Sequence, residues 1–87
     1  MNVVAAMRER LSTLEPQRLD IADDSASHAG HAGAAGGGGH YRVIIVSSRF
    51  AGVNTLGRHR LVYDALGAMM KREIHAVSII ARTPEEG

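Results

Sequence analysis

Five histidines in a chain of 87 residues without a cysteine are the side chains best suited to chemistry. Neutral imidazole is the commonest protein ligand for borderline transition metals. His75 opens an apolar run from Ile74 to Arg82, in phase with Val77 and Ile79. A histidine at the mouth of a strand either bonds to backbone or ligates a metal. His28 and His31 stand three residues apart in a glycine-rich stretch. There they are either solvated or free to swing an imidazole toward His75. His40 precedes the next apolar run and reads as a structural residue at the end of that stretch. His59 lies within Arg58-His59-Arg60 on an apolar helical stripe, which favours a packed histidine over a ligand.

Other chemistries find less to use. Arg58, Arg60, Lys71 and Arg72 could contact phosphates, but a net charge of only +1 makes a solvated helix face the simpler reading. Asp23 and Asp24 read as turn or capping residues, and Ser47 and Ser48 have no obvious base nearby in sequence. The run Gly36–Gly39 lacks the spacing and the following helix of a phosphate-binding loop. Catalysis is not expected. The missing cysteine excludes disulfides and thiolate zinc sites and suits a reducing compartment, with the cytoplasm as the default. No apolar run approaches the roughly 18–20 residues a membrane span requires. The N-terminal segment carries both Arg and Glu, unlike a signal or transit peptide.

The elements that must position these groups follow from periodicity. Val3, Val4, Met7, Leu11 and Leu14 recur at helical spacing, with Asn2 a candidate N-cap and Pro16 a stop. Residues 18–23 alternate like a short half-buried strand. Residues 24–39 change abruptly to Ala, Gly, Ser and His, a composition with little to bury and therefore a mobile loop. Tyr41 to Ser47 is the strongest strand signal and reads as the central strand. Asn54 is a candidate N-cap. Leu56, His59, Tyr63, Leu66 and Met70 then form one stripe, flanked by Val62 and Met69, with Gly67 dividing two helices. The last strand would place Val77, Ile79 and Ala81 on one side and Ile74, Ala76, Ser78 and Ile80 on the other. With 45% hydrophobic but 3% aromatic residues, the core must be aliphatic. One α+β domain over 1–87 is expected, a thin layer of helices on one face of a small sheet.

The pieces His40-Tyr-Arg-Val-Ile-Ile-Val-Ser-Ser-Arg-Phe-Ala-Gly, Arg58-His-Arg-Leu-Val-Tyr, Ile74-His-Ala-Val-Ser-Ile and Thr83-Pro-Glu, in that order, resemble the BolA family from about residue 3 to 86. The resemblance implies an α-β-β-α-α-β fold, a three-stranded sheet with helices on one face, similar to a type II KH domain. It also implies a non-enzymatic adaptor that binds a monothiol, CGFS-type glutaredoxin and shares a [2Fe-2S] cluster. The glutaredoxin cysteine and glutathione hold one iron, and the isolated chain is expected to hold no cluster. The family's C-terminal ligand histidine falls on His75. Its second ligand, in the loop between the first two strands, matches His28 or the neighbouring His31. The alternative that the resemblance implies is a DNA-binding transcriptional regulator of stress response and cell morphology. The Gly-x-x-Gly clamp of KH domains is absent between the helices, which leaves Arg58 and Arg60 as the contacts.

Overall fold

The computed structural model describes residues 2–25 and 39–87. Helix α1 (Val3–Leu11) starts at Asn2, whose side-chain oxygen accepts the Ala5 amide at 3.0 Å. That satisfies one of the donors a helix start leaves unpaired. Arg8 and Arg10 occupy the last turn, where positive charge suits the negative end of the helix dipole. A 3₁₀ turn, Ser12–Leu14, follows, and Glu15 takes the left-handed conformation at φ 50°. Pro16 then prevents any continuation. Met7, Leu11 and Leu14 form the buried face of this unit.

Strands β1 (Arg18–Asp23) and β2 (Gly39–Val46) pair antiparallel, Arg18 opposite Val46 and Asp23 opposite Tyr41. Strand β3 (Ile74–Arg82) pairs with β2 in parallel, so β2 is central in the order β1-β2-β3. Alternation along β2 separates two faces. Tyr41, Val43 and Ile45 are buried under the helices, while His40, Arg42 and Ile44 lie on the open face. A parallel pair needs a crossover. Here it consists of a 3₁₀ turn Ser48–Phe50, helix α2 (Thr55–Leu66) and a second 3₁₀ segment, Gly67–Lys71. Asn54 caps α2 by accepting the Gly57 amide at 2.8 Å. Gly67 divides the helical stretch at φ 57°, a conformation costly for other residues. The architecture is the expected α+β fold, with a 3₁₀ segment in place of the third helix. Among the described residues no helix is long and apolar enough to cross a membrane.

Two details depart from the sequence reading. Leu56 is 62% exposed and Tyr63 40% exposed, and the inner stripe of α2 is instead Val62 and Leu66, continued by Met69. Apolar residues cover more than one face of this helix, so periodicity admits two rotations. Arg58, one turn before Val62, selects between them because its guanidinium is tied to the end of β3. The second departure is Ile74, which is 2% exposed and part of the core rather than on the open face. Gly39 lies opposite Ile74 but His40 lies opposite Ala76. His75 is therefore an extra residue, a β-bulge at the mouth of the strand. The core is aliphatic apart from Tyr41 and Phe50.

Candidate functional site

The bulge decides where His75 goes. Strict alternation would turn it to the helix side with Val77 and Ile79. The extra residue cancels one step, so Ile74 stays inside while His75 and Ala76 are both exposed. His75 thereby lies beside His40, with ring centroids 5.2 Å apart and planes inclined at 49°. The sequence reading placed His75 in phase with the helix-facing residues and His40 in a structural role. The structure brings the two rings together instead.

His40 is held by its backbone from β1 and its continuation. Its amide donates to Ser25 Oγ at 3.1 Å, and its carbonyl accepts the Asp24 amide at 2.7 Å. One residue earlier, the Gly39 amide donates to the Glu73 carbonyl at 2.8 Å, joining the approach to β3 to the start of β2. A Cβ on Gly39 would lie 2.5 Å from the Tyr41 ring, so glycine is needed there for the ring to pack over it. Burial pushes the Tyr41 phenol above its ordinary pKa, with the Asp23 charge adding to the shift. The Asp23 carboxyl is held below its usual range by hydrogen bonds from the Ser25 hydroxyl and amide. Arg42 pairs with Asp24 at 2.6 Å on the open face. The surroundings of the two rings are thus fixed by strand pairing and short polar contacts.

The other candidates go elsewhere. Arg58 Nη1 and Nη2 donate to the two Glu86 oxygens at 2.6 and 3.1 Å, Nε donates to the Val53 carbonyl, and Nη1 also reaches the Ala81 carbonyl. Its guanidinium lies 6.0 Å from the centre of the Phe50 ring, a cation–π arrangement at the edge of its useful range. These bonds hold the Glu86 carboxyl down to about 2. Arg60 is exposed and His59 half-buried. Ser47 is buried and donates to the Leu14 carbonyl at 2.6 Å, which makes it a tie between the 3₁₀ turn and the sheet. His28 and His31 lie outside the described residues. Among the described residues no group of three or more His, Cys, Asp or Glu could hold a metal ion. The His40–His75 pair can fill only half of a tetrahedral shell, and other donors must complete it.

Residues 11–86 match the sequence profile of the family described as BolA-like protein. The chain belongs to the BolA-like family. BolA-like protein 1 of Mus musculus is 44% identical over 85 residues, covering 97% of this chain and 60% of that protein. The solved BolA domain of SufE1 from Arabidopsis thaliana matches at a TM-score of 0.86 with 39% identity, covering 100% of this chain and 98% of that one. The DNA-binding transcriptional regulator BolA of Escherichia coli (strain K12) is 32% identical, covering 92% of this chain and 78% of that protein. The chain spans from 23% to 60% of the length of the plant and mouse relatives it matches. Within a BolA-like fold, the parallel β2–β3 pairing brings the first residues of both strands to one end of the sheet. That pairing is the signal from which a His40–His75 encounter could have been read, whereas the bulge that completes it leaves no mark in the hydropathy pattern.

Proposed function

We propose that this BolA-like chain is a non-catalytic adaptor of the cytoplasm that docks on a monothiol, CGFS-type glutaredoxin and shares a [2Fe-2S] cluster with it, in iron–sulfur trafficking or iron sensing. The glutaredoxin cysteine and glutathione hold one iron. The other takes His75 and a second histidine of this chain, for which the glycine-rich stretch offers His28 or His31. The observation that supports the reading is an exposed imidazole at a bulge, beside a second imidazole, in a chain with no thiol of its own. Such a chain can supply nitrogen ligands and must find sulfur on a partner. Histidine in place of thiolate on one iron raises a cluster's potential, as in Rieske centres. The test is to purify the chain together with a monothiol glutaredoxin and glutathione and to record visible absorption and circular dichroism. A spectrum distinct from that of the glutaredoxin alone is expected. A mixture that shows only the glutaredoxin's own spectrum, with no association between the chains, overturns the reading.

A second reading, a DNA-binding transcriptional regulator of stress response and cell morphology, is favoured by the name of the E. coli relative. With Arg58 committed to Glu86 and three other contacts, this reading rests on the exposed Arg60. If DNA binds there, Arg60→Ala lowers the slope of log affinity against log salt by about 0.9, the loss of one phosphate contact. An unchanged slope removes this face of α2 as the contact surface.

A further inference from the structure

We infer that the outer edge of strand β3 is a docking surface for a second copy of this chain, which adds its own β3 antiparallel across a two-fold axis. The first argument is the contrast between the two edges of the sheet. Among the described residues neither β1 nor β3 has an outer neighbour, and an open edge is a template for pairing unless it is defended. β1 is defended. It carries Arg18, Asp20 and Asp23, and Arg8 Nη1 donates to the Leu19 carbonyl at 3.1 Å. β3 carries no Asp, Glu, Lys, Arg or Pro from Ile74 to Ala81. Ala76, Ser78 and Ile80 are exposed on its open face, and Val77, Ile79 and Ala81 on the helix side are only half-buried.

Hydrogen-bond parity is the second argument. The Ser47 amide donates to the Arg82 carbonyl at 2.9 Å. In a parallel ladder Arg82, Ile80 and Ser78 therefore turn their main-chain groups toward β2, and Val77, Ile79 and Ala81 turn theirs outward. Arg58 already reaches the Ala81 carbonyl at 3.1 Å, which leaves the outward groups of Val77 and Ile79 for a new strand.

Charge selects the occupant and its register. Lys71 and Arg72 precede β3, Arg82 ends it and Glu85 follows. A parallel copy in register would set Arg82 against Arg82. An antiparallel copy centred on Ser78 sets Val77 opposite Ile79, Ala76 opposite Ile80, and the Lys71 end of one copy by Glu85 of the other. Moving the centre to Ile79 opposes Glu73 to Glu85, and moving it to Val77 opposes Arg72 to Arg82. Like charges directly opposed are destabilising. On the axis, Ser78 faces its own counterpart at a non-hydrogen-bonded position, where side chains come closest and two hydroxyls can bond. The contact is isologous and closes on itself, so it yields a dimer and not a fibre. This inference does not rest on the proposed function.

The test is sedimentation equilibrium of the full chain from micromolar to millimolar concentration, with the average mass expected to rise from one chain toward two. Ser78→Lys faces two ammonium groups at the axis and should weaken association about fivefold or more. The chain has no cysteine, so Ser78→Cys reads the register directly. Opposed Cα atoms at a non-hydrogen-bonded pair lie about 4.5 Å apart, within disulfide range. Under mild oxidation Ser78→Cys should couple to a second copy on the order of tenfold faster than Ile80→Cys, which is exposed on the same face but off the axis. Far-UV circular dichroism checks the fold of each variant, and the mass of the unaltered chain needs no variant. A single-chain mass at every concentration would overturn the inference, as would equal coupling of the two cysteine variants. A single-chain mass combined with weaker glutaredoxin association in Ser78→Lys would give the edge to a different occupant and equally overturn it.

Discussion

At the carboxyl end of β3, Arg58, Thr83 and Glu86 close on one another. At its amino end, eight residues away, His75 stands exposed on a bulge beside His40. The Glu86 carboxylate accepts two guanidinium bonds and the Thr83 amide at 2.7 Å, and the Arg58 side chain is only 15% exposed. Such a bidentate, partly desolvated pair is strong only while every group in it has its partner. Arg58-His-Arg and Ile74-His-Ala look equally functional as strings of residues. Burial and partners separate them: one end spends its polar groups on architecture, and the other presents an imidazole to whatever arrives.

The comparison can be broken most forcefully by deletion. Removing Ser78 from the middle of β3 forces every residue on one side of the gap to the opposite face. Ile79 and Ala81 would exchange places with Ile80 and Arg82, and cooperative unfolding should be lost. Removing His75 leaves Ile74 inside, Ala76 outside and Val77 inside, which is the alternation a regular strand requires. That variant should fold, with a stability change below about 1 kcal/mol, because a bulge residue is unpaired in the ladder. Thermal unfolding by far-UV circular dichroism checks both, and a deletion of His75 as damaging as that of Ser78 would show that the bulge holds the strand together.

The closed end sharpens the contrast from the other side. Arg58→Ala removes a guanidinium that satisfies a carboxylate and two backbone carbonyls, Val53 and Ala81. A loss of about 2–3 kcal/mol is expected from the orphaned acceptors, seen as a lower denaturant midpoint. Arg58→Lys should recover only part of it, since an ammonium cannot reproduce the fork. A loss under about 0.5 kcal/mol, the range of ordinary surface substitutions, would mean that the clamp is decorative.

A smaller effect follows from acid. The Glu86 carboxyl is lowered from 4.5 to about 2 by Arg58 and the Thr83 amide. The folded state therefore binds that proton less readily than the unfolded state. Its contribution to stability is complete above about pH 4.5 and is lost as the pH falls toward 2. Glu86→Gln should flatten this part of the stability–pH curve. The slope will not vanish, because Asp23 is also held low, by Ser25. A curve for Glu86→Gln that parallels the wild type between pH 5 and 2 would rule out the ion pair as its source.

These effects also mark what the chain's sequence could disclose. Asn2 and Asn54 announced both helix starts because a side-chain oxygen before an apolar run has a local role that needs no tertiary context. β2 announced itself as central because an unbroken β-branched run such as Val43–Val46 suits a strand covered on one face and partly on the other, as β2 is. The rotation of α2 was not legible from hydropathy, since the residue that sets it is a charged one, Arg58, on the inner stripe. Its partner Glu86 lies 28 residues away. The His40–His75 pair was half legible. Alternation puts His40 on the open face, but the step that brings His75 there is a one-residue excess in a ladder, and ladders are properties of two strands.

The smallest expected effect tests the open end directly. His75 is exposed, and as the supernumerary residue of a bulge it has no opposite number on β2. Its ring neighbours His40 but fills no part of the core cluster. Replacing it with alanine leaves the pairing of Ile74 and Ala76 as it was. The stability of His75→Ala should lie within about 0.5 kcal/mol of the wild type, as for surface positions without special geometry. A loss of 2 kcal/mol or more in denaturant unfolding would make His75 a member of the architecture like Arg58. A neutral result joined to loss of the mixed cluster with the glutaredoxin would leave the side chain with no structural duty and one chemical one.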